Sequence, residues 1–474
     1  MQIQWLIRAV LALSAPLLAP PSTLARDLLP PAIDRALRGA GIPTAGVDIV
    51  VQEVGSNRPM LAVNPGIAMN PASTMKLVTT FAGLELLGPA YRWRTEAYLN
   101  GQLRDGVLEG DLVLKGGGDP KLTLEAFWLL LRDLRARGLK EIRGDLVLDR
   151  SLFVTGEHDP SRFDGDALRP YNVGPDPLLL NFKSIRFQFS PDPELGSVRV
   201  TAEPRILEVV SVLRLAEGPC GDWRERLKPD FQPHGAVPRA LFTGSYNTSC
   251  GERDWHVALL PPTQYAGSLF RLLWAELGGS ISGGAREGAL LPLPKPFASI
   301  ESPTLAEVVR DINKFSNNVL ARQLYLAIAA DQWGAPATTE NAQRAIKGWL
   351  AKKGLDFPEL VIENGAGLSR VERISAQNLT TLLVAAFRSP VMPELVASLP
   401  LVAVDGTMRR RMKSESIAGQ AHIKTGTLAD VRSIAGYVLD RSGRRHAVTM
   451  IVNHPNAPQA QAAQDALLNW VYAR

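Results

Sequence analysis

Between residues 96 and 290 the chain changes pattern, and that change limits what it can fold into. On either side, apolar residues recur at helical spacing. Inside, short alternating runs are broken by Gly, Pro and Asp, the signature of strands joined by turns. The chain therefore reads as a helix-rich frame split by a long insertion. One pentapeptide recurs within it, as Gly110-Asp111-Leu112-Val113-Leu114 and Gly144-Asp145-Leu146-Val147-Leu148. An amphipathic helix from Thr123 to Arg137 lies between the copies, which predicts one turn-plus-strand unit used twice; coincidence in so simple a pentapeptide is the alternative. Ile185 to Ser190 and Ser197 to Ala202 alternate as further strands.

The frame reads in two parts. Residues 26–95 carry a short helix, a strand from Gly46 to Glu53 and a helix opened by the turn Asn70-Pro71-Ala72-Ser73. Residues 291–474 follow a linker at Pro292, Pro294 and Pro296. Helices are predicted at Thr304–Lys314, Asn318–Ala330, Thr339–Lys353 and Ala376–Phe387. Strands follow at Gly419–Thr425, Ser433–Asp440 and His446–Val452, and a last helix at Gln459–Tyr472. Strands closed by a helix finish a sheet with a covering layer. The expected class is α/β (α+β), an antiparallel sheet flanked by helices.

Residues 1–25 read as a secretory leader. Arg8 precedes an apolar run from Ala9 to Ala19, and Thr23-Leu24-Ala25 offers small residues before a cut. A membrane anchor is the other reading. The run falls short of the ~20 residues a span needs, and Pro16, Pro20 and Pro21 interrupt it. Export to the periplasm predicts a Cys220–Cys250 disulfide from the two cysteines present. Two unpaired buried thiols are the alternative.

Composition removes other classes. Of 474 residues, 46% are hydrophobic and 21% charged, so the chain is globular. Net charge is +5, and no Lys/Arg run exceeds Arg409-Arg410-Arg411, so no nucleic-acid footprint is present. Two cysteines exclude cysteine-rich zinc folds. The histidines His158, His234, His256, His422, His446 and His454 have no metal-like spacing. His422 sits two residues from Lys424 on a strand, so it either faces a cleft with Lys424 or is structural, the favoured reading. Gly116-Gly117-Gly118 lacks a following Lys-Ser/Thr and reads as a turn. Neither a metal nor a cofactor is expected.

Three short motifs carry chemistry. Ser73-Thr74-Met75-Lys76 places a hydroxyl and an amine at i and i+3 on one helix face. Serine is a poor nucleophile unless a base lies within hydrogen-bond reach, and a lysine serves once burial and nearby cations make it neutral. Alone, the pattern equally fits an N-cap serine beside a solvated lysine. Ser316-Asn317-Asn318 offers a hydroxyl and a carboxamide two residues apart, or an ordinary helix N-cap. Lys424-Thr425-Gly426 ends a strand with a cation, a hydroxyl and a glycine that admits a substrate backbone; alone it equally fits a solvent-facing strand end.

In this order the motifs S-x-x-K, S-x-N and K-T-G resemble those of penicillin-binding proteins and serine β-lactamases. About 240 residues separate Ser73 from Ser316, so the chain resembles the class C low-molecular-mass penicillin-binding proteins, the D-Ala-D-Ala carboxypeptidase/endopeptidase family. Lys115-Gly116-Gly117-Gly118-Asp119-Pro120, Gly365-Ala366-Gly367-Leu368-Ser369-Arg370, Val404-Asp405-Gly406-Thr407-Met408-Arg409 and Lys424-Thr425-Gly426-Thr427-Leu428 extend the match. The resemblance implies a DD-peptidase-like domain split by a mainly β insertion. It also implies peptidoglycan peptides as substrates and β-lactam antibiotics as covalent inhibitors. Ser73 would be the nucleophile, Lys76 the proton acceptor, Ser316 and Asn318 its partners, and Lys424, Thr425, Gly426 and Thr427 the holders of the substrate's carboxylate end. Where the family commonly has Asp-Gly-Ser-Gly, this chain has Asn364-Gly365-Ala366-Gly367. A β-lactamase or esterase, or a non-catalytic binding protein with a spent site, are the alternatives left open. The oligomeric state, the insertion's role and the preference for terminal or cross-linking bonds are not encoded in these motifs.

Overall fold

The computed structural model describes residues 29–154, 156, 158–232, 237–289 and 295–474. The leader, His234, Pro292 and Pro294 lie outside the described residues. The frame is a five-stranded antiparallel sheet ordered Ala421–Thr427, Val431–Leu439, Arg445–Asn453, Val47–Glu53, Leu61–Val63. Its strands are apolar on both faces because helices cover both. Val47, Ile49 and Val51 face the terminal helices Pro31–Gly39 and Gln461–Tyr472, together with Ile423, Ile434 and Val438. Ala435, Tyr437 and Ala447 face the other helices, Lys76–Leu86, Leu305–Lys314, Asn318–Trp333, Thr339–Lys352 and Ala376–Phe387. Since Ile423 points to the terminal helices, strand alternation turns His422 and Lys424 toward the helical side.

Local chemistry fixes the helix ends near the site. Thr304 and Glu307 close a capping box at the start of Leu305–Lys314. Asn317 caps the next helix by accepting the Leu320 N–H at 3.1 Å, and Ser375 caps Ala376–Phe387.

The chain between Arg94 and Glu301 builds two further sheets. Arg94–Arg104 and Val107–Lys115 form a hairpin through Asp105-Gly106, both at positive φ, as a type I′ turn requires. The pentapeptide copies then pair in parallel, Leu112 to Leu146, Val113 to Val147 and Leu114 to Leu148. The helix Leu124–Ala136 makes the crossover between them. Ala298–Glu301 returns to pair with Arg94–Ala97, so this sheet closes past Pro296 and beyond residue 290. The other sheet runs Leu227–Gln232, Arg239–Asn247, Arg214–Ala216, Ser197–Glu203, Ile185–Asp192, Arg253–Val257. A helix at Pro262–Glu276, absent from the sequence reading, brings Tyr265, Leu269, Phe270 and Trp274 onto the same core. Cys220 and Cys250 are disulfide-bonded in this region, with Cα atoms 4.8 Å apart. No helix among the described residues is long and apolar enough to cross a membrane.

Candidate active site

Ser73 stands on a 3₁₀ turn, Ala72–Met75, that runs into the helix Lys76–Leu86. The turn is pinned from several sides. Asn70 Oδ1 accepts the Ala72 N–H at 2.9 Å, and its amide donates to the Ser369 carbonyl at 2.8 Å. The Thr74 and Ser433 hydroxyls both donate to the Pro71 carbonyl, at 2.8 and 2.6 Å. Two glycines make room for it. A Cβ on Gly367 would lie 1.9 Å from the Ala72 carbonyl oxygen. One on Gly426 would lie 2.2 Å from Ser433 Oγ and 2.7 Å from the Pro71 oxygen. Gly426 is therefore demanded by the chain's own turn around Ser73, a tighter constraint than the passage of a substrate backbone.

Lys76 is fully buried beneath Ser73. Its amine donates to Ser73 Oγ at 3.0 Å, to Asn318 Oδ1 at 2.6 Å and to the Ala366 carbonyl. Burial, and then the neighbouring Lys424, hold this amine well below the usual lysine range. Lys424, also fully buried, donates to Ser316 Oγ at 2.8 Å and to the Thr425 carbonyl at 2.7 Å. Burial pushes it down to about 7. Ser316 is held at φ 56°, a left-handed conformation uncommon outside glycine, on the turn between two helices. Thr425 Oγ1 donates to Thr407 Oγ1 at 2.8 Å.

The three motifs thus converge. Ser73, Lys76 and Asn318 form one hydrogen-bonded set, and Ser316 and Lys424 a second beside it. The alternatives each motif left open sort by residue: Asn317 takes the capping role, which leaves Ser316 and Asn318 to face the site. His422 sits near Lys314 and is held below the ordinary histidine range by burial.

Ser73, Ser316, Asn318, Thr425 and Thr427 open onto a cleft of about 1010 Å³. Its far wall comes from the inserted region, with Phe163, Arg169, Tyr171, Phe182 and His256. Phe182 lies in a run of three left-handed residues, Asn181 (φ 45°), Phe182 (φ 54°) and Lys183 (φ 53°). No local sequence pattern marks these wall residues, because they meet the motifs only through tertiary packing. Thr407 and Ala366 lay within stretches already singled out; their contacts did not.

Glu372 was missed altogether. It is fully buried, and its Oε1 accepts the backbone N–H groups of Glu363, Asn364 and Gly365 at 3.0, 2.9 and 3.1 Å. Burial pushes its carboxyl up, against those three donors and the pull of Lys76. It shapes the loop that presents the Ala366 carbonyl to Lys76, the same loop in which Asn364 and Ala366 depart from the common pattern.

Comparison with known proteins finds relatives along almost the whole chain. The family model described as the D-Ala-D-Ala carboxypeptidase 3 (S13) family matches residues 29–473. A D-alanyl-D-alanine carboxypeptidase DacB of Haemophilus influenzae is 24% identical over 423 residues, covering 86% of this chain and 85% of its own. A D-alanyl-D-alanine carboxypeptidase of Actinomadura sp. (strain R39) is 28% identical over 458 residues, covering 92% and 82%. The crystal structure of penicillin binding protein 4 (dacB) from Haemophilus influenzae superposes with a TM-score of 0.78 at 23% identity, over 93% of this chain and 99% of that one.

Proposed function

The chain belongs to the D-Ala-D-Ala carboxypeptidase 3 (S13) family, and from that premise we propose an acyl transfer on the D-Ala-D-Ala ends of peptidoglycan peptides. The observation that carries it is the 3.0 Å contact between Ser73 Oγ and a Lys76 amine whose surroundings disfavour its protonation. Lys76 takes the Ser73 proton as Oγ attacks the penultimate D-Ala carbonyl. The N–H groups of Ser73 and Thr427 receive the developing oxyanion, a role typically worth ~3–4 kcal/mol per donor. The carbon–nitrogen bond breaks as Ser316, paired with Lys424, delivers a proton to the leaving amine. Asn318 holds the peptide amide, and Lys424, Thr425 and Thr427 hold the terminal carboxylate. Water then cleaves the ester and returns Ser73 to its hydroxyl form.

A β-lactam presents the same carbonyl and carboxylate, so it acylates Ser73 and leaves slowly. The leader places this chemistry in the periplasm. Phe163, Arg169, Tyr171, Phe182 and His256 of the inserted region wall the cleft, where they select among stem peptides and cross-links. Digestion of purified muropeptides tests the reading: release of D-Ala from linear pentapeptides, or opening of cross-linked dimers, is the expected product pattern. Rapid turnover of a chromogenic cephalosporin with no muropeptide cleavage would replace it by a β-lactamase.

A further inference from the structure

Lys76 is governed by more than its own motif. Three influences act on its amine: burial, Lys424 on the strand Ala421–Thr427, and Arg322 on the helix Asn318–Trp333. All of them disfavour the ammonium form. One group opposes them, Glu372, on the loop that carries the Ala366 carbonyl.

Glu372 is an expensive residue in this place. It is fully buried, and its Oε2 has no hydrogen-bond partner among the described residues. A buried carboxylate costs far more than a buried amide unless a charge nearby offsets it. Its three backbone contacts need only an acceptor oxygen, which glutamine would supply equally well. What glutamine would not supply is an ionisable oxygen, whose charged form the three N–H donors and Lys76 favour against burial. The charged and titratable groups that act on Glu372 or share its partners are Lys76, together with Arg322 and Tyr325 from the helix Asn318–Trp333, and the exposed Glu363 on its own loop. Position 364, on the same loop, holds a neutral Asn whose Oδ1 accepts the Ala366 N–H at 2.9 Å.

We propose that Glu372 is a positioning residue for the reaction: it aims the Ala366 carbonyl at Lys76 and supplies the loop's buried negative charge, which neither Asn364 nor the exposed Glu363 does, against Lys424 and Arg322. With Glu372 in place, Lys76 stays basic enough to take a proton from Ser73. Without it the amine is neutral over a wider range but is a weaker base, and weaker bases transfer protons more slowly.

The inference rests on Lys76 being the base for Ser73, and the test separates the two. The rate of acylation by a fluorescent penicillin is measured against pH for the wild type, Glu372→Gln, and the double variant Asn364→Asp/Glu372→Gln. The double variant returns a carboxylate to the same loop, next to the Ala366 N–H. In Glu372→Gln the acid limb of the profile moves down by about one pH unit, the scale of a nearby opposite charge. Its plateau falls about tenfold. In the double variant the limb returns to within about half a unit of the wild type. A residue that only braced the loop would lower the rate equally at every pH and leave the limb in place, and that result overturns the inference. So does a double variant whose limb stays with Glu372→Gln. Should Glu372→Gln not fold by thermal melt, the double variant decides alone. Folded with a wild-type limb, it supports the charge role; folded with a displaced limb, or unfolded as well, it refutes it. A wild type that takes penicillin at no Ser73 overturns the proposed function and this inference together.

Discussion

The frame and the inserted sheets bury different things. Around Ser73 the interior holds charge: Lys76, Lys424, Glu372, Arg322 and Lys314 are all buried, with Asn313, Thr380 and Thr449 beside them. In the inserted region it holds rings. Phe187 and Phe189 pack edge-on against Phe242 at 5.0 and 5.2 Å, and Tyr246, Trp223, Phe231 and Trp255 extend the cluster. Many of its ion pairs stay at the rim, as where half-exposed Arg286 bridges Asp111 and Asp145. Burying charge lowers stability but leaves groups with altered proton affinity, which chemistry needs. Burying aromatic rings stabilises and shapes a wall but transfers no protons. The two regions divide the labour of the cleft along that line.

Removing the proposed nucleophile probes the frame's side most severely. Ser73→Ala deletes one half-buried hydroxyl and leaves the packing of both regions alone. Covalent labelling by penicillin and peptide cleavage are expected to fall by ~10⁶, with an unchanged melting curve. Labelling that persists on Ser316 or another serine would show that the frame's charges serve a different nucleophile.

On the other side, Phe242→Ala strikes the aromatic cluster at its centre. Truncating a buried phenylalanine costs ~3–5 kcal/mol. Chemical denaturation is expected to show that loss, while the folded fraction acylates at the wild-type rate. A parallel fall in acylation of folded protein would mean the wall and the frame are one energetic unit.

The contrast also explains what could be read in the sequence. The frame was legible where spacing alone does the work. Ser73 and Lys76 meet because i and i+3 share a helix face, and Ser433 to Asp440 reads as a strand because both its faces are buried. The recurring Gly-Asp-Leu-Val-Leu foretold a pair of strands, which align residue for residue. Glu372 was illegible: nothing local distinguishes a buried glutamate from a solvated one, and its partners are backbone groups seven to nine positions earlier. The wall was illegible for the same reason, since Phe163, Tyr171 and Phe182 acquire a role only when the inserted region meets Ser316 across the cleft. The helix Pro262–Glu276 was hidden by its surroundings, a stretch whose glycines and prolines elsewhere mark turns. Leu61–Val63 has three residues, too few for an alternation to register.

The disulfide gives a gentler way to loosen the insertion. Cys220 and Cys250 close a loop with a sequence separation of 30, for which chain entropy gives roughly 3–4 kcal/mol. Reduction is expected to lower the melting temperature and to leave Ser73 acylation nearly intact, because the bridge lies apart from all three motifs. Two free thiols titrated in the unreduced, denatured protein would remove the bridge itself.

The smallest expected effect is the most discriminating about the frame. Lys424 is both the partner of Ser316 and the candidate anchor for the substrate carboxylate, and these roles differ in what they ask of charge. A charge-assisted contact contributes about 1.5–3 kcal/mol, so Lys424→Gln should slow hydrolysis of a free-acid peptide roughly ten- to a hundredfold more than that of its methyl ester. Loss of the proton relay would slow both substrates alike, so the ratio of the two kcat/KM losses isolates the anchor. Burial adds an independent check, since it lowers the Lys424 ammonium to about 7. As pH rises past that value the free enzyme loses the cation. KM for the acid is then expected to climb on the alkaline side while KM for the ester stays level, and the variant should show no such divergence. Equal losses for acid and ester, with parallel KM profiles, would assign Lys424 to Ser316 alone and leave the carboxylate to Thr425 and Thr427.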